Sequence, residues 1–298
     1  MSTTELLLRY IHIVNRVSKS PATFKEIDDY LTRQSAFQDY KFNISQRQFL
    51  RDLKKIGSIL EIEIYYDPRQ GVYLINEAEF SELSRRRLEA FDTFNALKIG
   101  DSTSRLIHFE KRRPQGTENL FGVLHAIKNN LQINFTYQKF WEEQVTERSV
   151  HPLALKEFKN RWYLLSKDMK DGAVKTFALD RLTTLDITPI KFKPSPDFDI
   201  EEQFRYCFGI ISPTDEEPQE IILSFTPFQG KYIKSLPLHE SQKILIDDKN
   251  ELRIKLKLFV THDLIMELLS FGDNMKVLQP DSLISHIRTA HKTAYQQY

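Results

Sequence analysis

The chain has 298 residues, 41% hydrophobic and 28% charged, which is enough apolar content to bury a core and enough length for two or three domains. Lys and Arg total 42 against 41 Asp and Glu, a net charge of +1, so any nucleic-acid binding must rest on local charge rather than on the sum. No apolar run reaches the length of a membrane span, the start MSTTELLLRYIHIV has neither a basic leader nor a small-residue cleavage site, and the single cysteine, Cys207, has no internal partner; together these predict a cytoplasmic protein with no membrane contact.

Helical spacing predicts a first helix over residues 4–19, with Leu7, Ile11 and Val14 on one face and Pro21 marking the break. A second helix is expected from Thr23, with Phe24, Ile27 and Leu31 toward a core. The segment NISQRQFLRDLKKI predicts a third, with Ser45 as N-cap, Gln48 completing a capping box and Gly57 ending the helix. Its faces differ in kind: Phe49, Leu53 and Ile56 fall on one side, Arg47, Arg51, Lys54 and Lys55 on the other. The β-rich runs EIEIYY and VYLI follow, joined by DPRQG, whose Pro and Gly suit a turn. Three short helices and then a hairpin is the order of a winged helix-turn-helix, assigned to residues 1–76.

A helix is next expected from Ala78 to Leu97, inside a helical linker spanning 77–116. After a helix at Leu120 to Asn130 come five strands, LQINFTY, VTERSVHPLAL, RWYLLS, VKTFALD and TLDITPI, which suggest a small β-barrel over 117–195. From 217 to 298 the expected order is the strand EIILSF, a helix near Pro227 to Ser235, the strands KILIDD and LRIKLKLFV, a helix capped by Thr261 and closed by Gly272, the strand MKVLQP and a last helix from Asp281. That βαββαβ order implies a ferredoxin-like unit, and the chain as a whole is expected to be multidomain α+β.

The third helix carries the sharpest chemistry. A helix fits the major groove, where its N-terminal residues reach base edges and flanking cations meet phosphates. On that reading the helix start at Ser45 brings Gln46, Arg47 and Gln48 to the bases. Arg51, Lys54 and Lys55 hold the backbone, and Arg69 and Gln70 at the hairpin tip touch phosphate or the minor groove. A basic face opposite an apolar stripe is also what an ordinary solvated helix presents, and the cap alone would account for Gln48.

Residues 161–182, RWYLLSKDMKDGAVKTFALDRL, resemble the signature of the WYL domain: Trp162-Tyr163-Leu164 on a strand, a polar turn, then an aromatic followed by Leu179-Asp180-Arg181. INFTY, ending at Tyr137, and ERSVHPLAL, with Arg148 and Pro152, match the upstream pieces, while SFTPFQGKYIKSLPLHESQ and ELLSFGDNMKVLQP are similar to the WCX extension. The resemblance implies a bacterial transcription regulator with an Sm/SH3-like barrel that senses nucleic-acid or nucleotide-like ligands. Carried onto this chain, it makes Tyr137, Arg148, His151, Tyr163 and Arg181 the ligand-binding residues, with Trp162 packing. The chain departs from the pattern at Ala178, where many relatives carry arginine.

No catalytic motif stands out. There is no GxGxxG, Gly230-Lys231 lacks the upstream glycine of a phosphate loop, His286 and His291 are five apart, and Cys207 reads as a buried inert thiol. The expectation is a non-enzymatic protein without metal or cofactor that binds a pseudo-palindromic duplex operator as a homodimer, with contacts from the Ala78 to Leu97 helix and the C-terminal unit. Two alternatives are an accessory single-stranded nucleic-acid-binding protein of a defence system and a protein-interaction scaffold.

Overall fold

The structure is a computed structural model that describes residues 3–38, 40–75, 86–88, 90, 116–139, 144–196, 198–213 and 216–298. The chain divides into two units, Met1–Lys111 and Arg112–Tyr298.

In the first unit, helices α1 (Thr3–Lys19), α2 (Phe24–Gln38) and α3 (Gln46–Leu60) precede the antiparallel strands β1 (Ile64–Asp67) and β2 (Val72–Ile75). The apolar spacing of α1 buries Leu8, Ile11, Val14 and Val17 against Ile27 and Leu31 of α2 and Phe49 and Ile56 of α3. A reciprocal capping box opens α2: Thr23 N–H donates to Glu26 Oε2 at 2.7 Å, and Glu26 N–H to Thr23 Oγ1 at 3.3 Å. At α3 only half of the expected box forms. Ser45 Oγ accepts from Gln48 N–H at 3.3 Å, but the Gln48 side chain turns to Asp52 instead of back to the cap. The helix also runs through Gly57, ending at Glu61 with φ of 57°. A glycine inside a helix costs only about 1 kcal/mol, and continued packing of Ile56 and Leu60 on the core offsets that. Residues 61–63 are therefore the exit from the helix, so β1 starts later than EIEIYY suggests. Paired hydrogen bonds between Ala22 and Tyr73, of 3.0 and 2.7 Å, tie the hairpin to the α1–α2 link. Most of the expected helix from Ala78 to Leu97, with its dimer contacts, lies outside the described residues; 86–88 and 90 are helical, and Leu88 is buried in this core.

The second unit begins with a 3-10 turn at Thr117–Asn119 and α4 (Leu120–Asn129). Strands β3 (Leu131–Gln138), β4 (Val145–Phe158), β5 (Arg161–Asp168), β6 (Val174–Ala178) and β7 (Leu182–Lys191) then form one antiparallel sheet in the order β6-β5-β4-β3-β7. The 3-10 turn Leu179–Arg181 is all that joins the two edge strands, so the sheet must curl far enough for three residues to span its edges. Among the described residues no ladder pairs β6 with β7, so the expected small barrel is present only as a curled sheet that hydrogen bonds do not close. Strand alternation sends Ile133, Phe135, Tyr137, Val150, Leu164 and Phe177 to one face, under Val123 and Ala126 of α4. On the opposite face Ala154 and Leu165 lie under Phe204 and Cys207, brought there by the connector that contains α5 (Ile200–Phe204).

The C-terminal part runs β8 (Gln219–Phe225), α6 (Pro227–Ser235), β9 (Lys243–Asp247), β10 (Leu252–Leu258), α7 (His262–Ser270), β11 (Met275–Gln279) and α8 (Asp281–Tyr295), with sheet order β11-β8-β10-β9. Leu252, Ile254, Leu256 and Leu258 are buried, as the alternation of LRIKLKL requires. Thr261 stands at the N-cap of α7, although its hydroxyl makes no capping bond. The β4–β5 hairpin meets this part directly: the Phe158 and Phe208 rings cross at 5.8 Å, and Lys159 pairs with Glu267 at 2.7 Å. Asp263 Oδ2 accepts from Ile210 N–H at 2.9 Å, next to Gly209, where an added Cβ would lie 2.7 Å from the Asp263 Cβ. Among the described residues no helix is long and apolar enough to cross a membrane.

Candidate nucleic-acid interface and sensor residues

The inner side of α3 is apolar except at one point. Asp52 is buried and bound on both oxygens: Arg9 Nε of α1 donates to Oδ2 at 2.8 Å, and Gln48 Nε2 donates to Oδ1 at 2.8 Å. The only carboxylate of the helix thus faces inward, and the charges left on the outer face are all cations. Arg47, Arg51, Lys54 and Lys55 are exposed there, and none has an ion-pair partner among the described residues. Gln46 is exposed at the helix start and hydrogen bonds the Tyr73 phenol, whose pKa burial pushes up against that bond. Gln48 is half-buried with its amide committed to Asp52, so of the three expected base readers it is the one that this geometry removes. Leu50, 48% exposed, lies among the cations and was not singled out in the sequence, although the spacing Arg47, Leu50, Arg51, Lys54 is that of one helix face. At the hairpin tip Arg69 and Gln70 are exposed, and Asp67 Oδ1 fixes the turn by accepting from Arg69 N–H at 2.8 Å.

The five expected sensor residues do not converge. Tyr137 is 7% exposed in the core, its ring 5.0 Å from that of Phe177 and its hydroxyl accepting from Ala178 N–H at 3.3 Å, so it offers no face for stacking. Arg148 sits at the end of the same face, with Nη1 3.0 Å from Asp168 Oδ2 and Nε 3.2 Å from Thr146 Oγ1. Asp168 also accepts from Lys175 Nζ at 2.8 Å and Lys170 N–H at 2.9 Å. Burial by itself would raise the Asp168 carboxyl, but these donors and the two cations outweigh it and hold the pKa below the ordinary value.

Tyr163 lies on the opposite face, 8% exposed, with its phenol pushed up by burial. The charges that act on it are those of Arg161, Asp180 and Arg181, together with Asp263 of α7. Asp180 pairs with Arg161 at 3.5 Å, and Arg181 is half-buried in the 3-10 turn. The signature residues Tyr163, Asp180 and Arg181 therefore gather toward the seam with the C-terminal sheet. His151 lines an open cleft, its half-buried ring stacked on Phe192 with centroids 4.3 Å apart and planes 5° apart. Burial first, and then the Lys167 charge, lower its pKa.

Comparison with known proteins gives the family. The WYL domain matches residues 118–187 and the WCX domain residues 217–295, together half of the chain. Protein PafB of Mycobacterium tuberculosis, like that of Mycobacterium bovis, is 32% identical over 77 residues, 26% of this chain and 23% of PafB, so the match spans about a quarter of those relatives. Among solved structures, proteasome accessory factor B/C of Arthrobacter aurescens aligns over 96% of this chain and 46% of its own, at 19% identity and a TM-score of 0.34. A CRISPR Cas-related protein aligns over 99% and 85%, at 12% identity and a TM-score of 0.37. With α4 and all of the five-stranded sheet but the end of β7 inside the first matched segment and the four-stranded sheet inside the second, the chain belongs to the WYL-domain proteins that carry a WCX extension.

Proposed function

We propose that the protein is a bacterial, cytoplasmic transcription regulator that acts by binding rather than by catalysis. Its first unit works as a winged helix-turn-helix, with α3 in the major groove and the β1–β2 hairpin as the wing against the backbone. Arg47 then reaches base edges, Arg51, Lys54 and Lys55 meet phosphates, and Leu50 supplies an apolar surface for a thymine methyl. The protein binds as a homodimer, each copy taking one half of a two-fold operator. The WYL sheet serves as an Sm-like sensor of an anionic ligand, and the ferredoxin-like WCX part closes the chain. Ligand modulates operator affinity through its unequal affinity for the two arrangements of the dimer.

The observation that carries this reading is the cationic face of α3, exposed and free of ion pairs among the described residues while its carboxylate is held inside by Arg9. Selection from a mixed pool of random duplexes and random single strands tests it, with the selected duplexes footprinted afterwards. A recovered two-fold motif is expected. Recovery of single strands in preference to duplex would favour the accessory single-strand role, and recovery of nothing above background would leave the scaffold role.

A further inference from the structure

The outer face of the five-stranded sheet holds a cleft of about 770 Å³, between the strands and the connector that leaves β7. Leu153 of β4, Val174 of β6 and Ile190 of β7 give it an apolar floor, and Phe192 and Phe198 of the connector line its other side. Among the described residues its ionisable lining is all nitrogen bases: Lys167 of β5, Lys191, Lys193 and His151. The three lysines are exposed and have no ion-pair partner among the described residues. The nearby acid Asp168 alternates to the other face of β5, where Arg148 and Lys175 hold it.

We infer that this cleft is a ligand site of the WYL domain separate from the group of signature residues, and that it takes a small amphipathic anion with an apolar body and one phosphate or carboxylate head. The volume falls within the range of small-molecule pockets. An unpaired lysine is a mobile point charge that meets either head group without demanding fork geometry. The walls argue against a nucleotide: among the described residues Gln132, Ser195 and the half-covered His151 ring are the only polar side chains lining the cleft besides the lysines, too few to satisfy a base edge and a ribose withdrawn from water. One face of the His151 ring is already covered by Phe192. As a sensor site the cleft rests on the regulatory reading; as a binding site it stands on its own residues.

Calorimetric titration of the full chain with 1-naphthyl phosphate, decanoate, inorganic phosphate, decanol and a thymidine oligonucleotide tests this, with duplex affinity measured in parallel. Either amphiphile should bind with one-to-one stoichiometry, and which of the two binds more tightly identifies the head group. Inorganic phosphate and decanol should each bind at least about 10-fold more weakly, because each lacks one half of the recognition. The Lys167→Ala, Lys193→Ala variant and the Ile190→Asp variant should each lose about 10-fold or more. Lys249→Ala, in the turn after β9, should lose nothing. An unchanged unfolding midpoint shows that the exposed lysines were removed without damage. Failure of both amphiphiles to bind, binding indifferent to Lys167 and Lys193, or an oligonucleotide that displaces them would each overturn the assignment. Amphiphile binding that depends on these lysines in a chain without duplex affinity would uphold the cleft and overturn the regulator.

Discussion

Arg9 of α1 and Asp52 of α3 form a 2.8 Å ion pair in which neither side chain is more than 2% exposed. The pair fixes α3 to α1 from below and turns the helix's one acid away from its cationic face. Removing one partner leaves a buried charge uncompensated, so Asp52→Ala should destabilise the chain by about 3–5 kcal/mol. Replacing both, as Arg9→Met with Asp52→Leu, should restore most of that loss, because a well-packed apolar pair avoids the desolvation cost. Denaturant unfolding of the single and double variants measures the difference.

Gln48 should behave as a structural residue. Its amide bond to Asp52 is worth about 1 kcal/mol, so Gln48→Ala should lower stability by that order while leaving the preferred DNA sequence unchanged. Leu50→Ala should do the reverse, with stability nearly intact and a base preference relaxed at one position, since Leu50 lies on the open face. Sequence selection with each variant separates the two outcomes.

Asp168 makes stability depend on acid. Because folding holds its carboxyl below the ordinary 3.8, the unfolded chain takes up this proton first as pH falls. Its contribution is whole above the unfolded value and disappears as pH drops through the folded one. Asp168→Asn should therefore destabilise most at neutral pH, and its deficit should shrink between about pH 5 and about pH 3. Urea unfolding of both proteins across that range measures the convergence.

Gly116 should tolerate no side chain. Its φ is 91°, and a Cβ would come within 2.3 Å of the Leu179 carbonyl carbon and 2.4 Å of Asp180 N, both backbone atoms. Gly116→Ala should cost at least about 2 kcal/mol and displace the turn that carries Asp180 and Arg181. A lowered thermal midpoint would register it.

Periodicity made much of the architecture legible. The helical spacing of Ile11 and Val14 and the alternation of Leu252, Ile254, Leu256 and Leu258 gave elements whose burial follows the same pattern. What failed depended on long-range pairing. Gln48 could not be seen to prefer Asp52 over its own cap, because the reason is Arg9, 43 residues from Asp52. A small barrel was read from strand count, but whether the sheet closes depends on hydrogen bonds between β6 and β7 that no local pattern encodes, and none forms among the described residues. Tyr137 and Tyr163 looked alike as motif aromatics, yet they lie on opposite faces of one sheet. The cleft lysines escaped notice because Lys167 sits in the polar turn region of the signature stretch, where a cation reads as solvated, and its partner Lys193 is 26 positions away, past the end of that stretch.

The salt dependence of duplex affinity tests the central claim most directly, measured for the natural chain and for a variant with Arg47, Arg51, Lys54 and Lys55 all changed to alanine. If the outer face of α3 enters the groove, affinity should fall steeply with added salt, and the variant, which loses three phosphate contacts, should flatten the slope of log affinity against log salt by about 3. Equal slopes for the two proteins, or no salt-sensitive duplex binding by the natural chain, would contradict it.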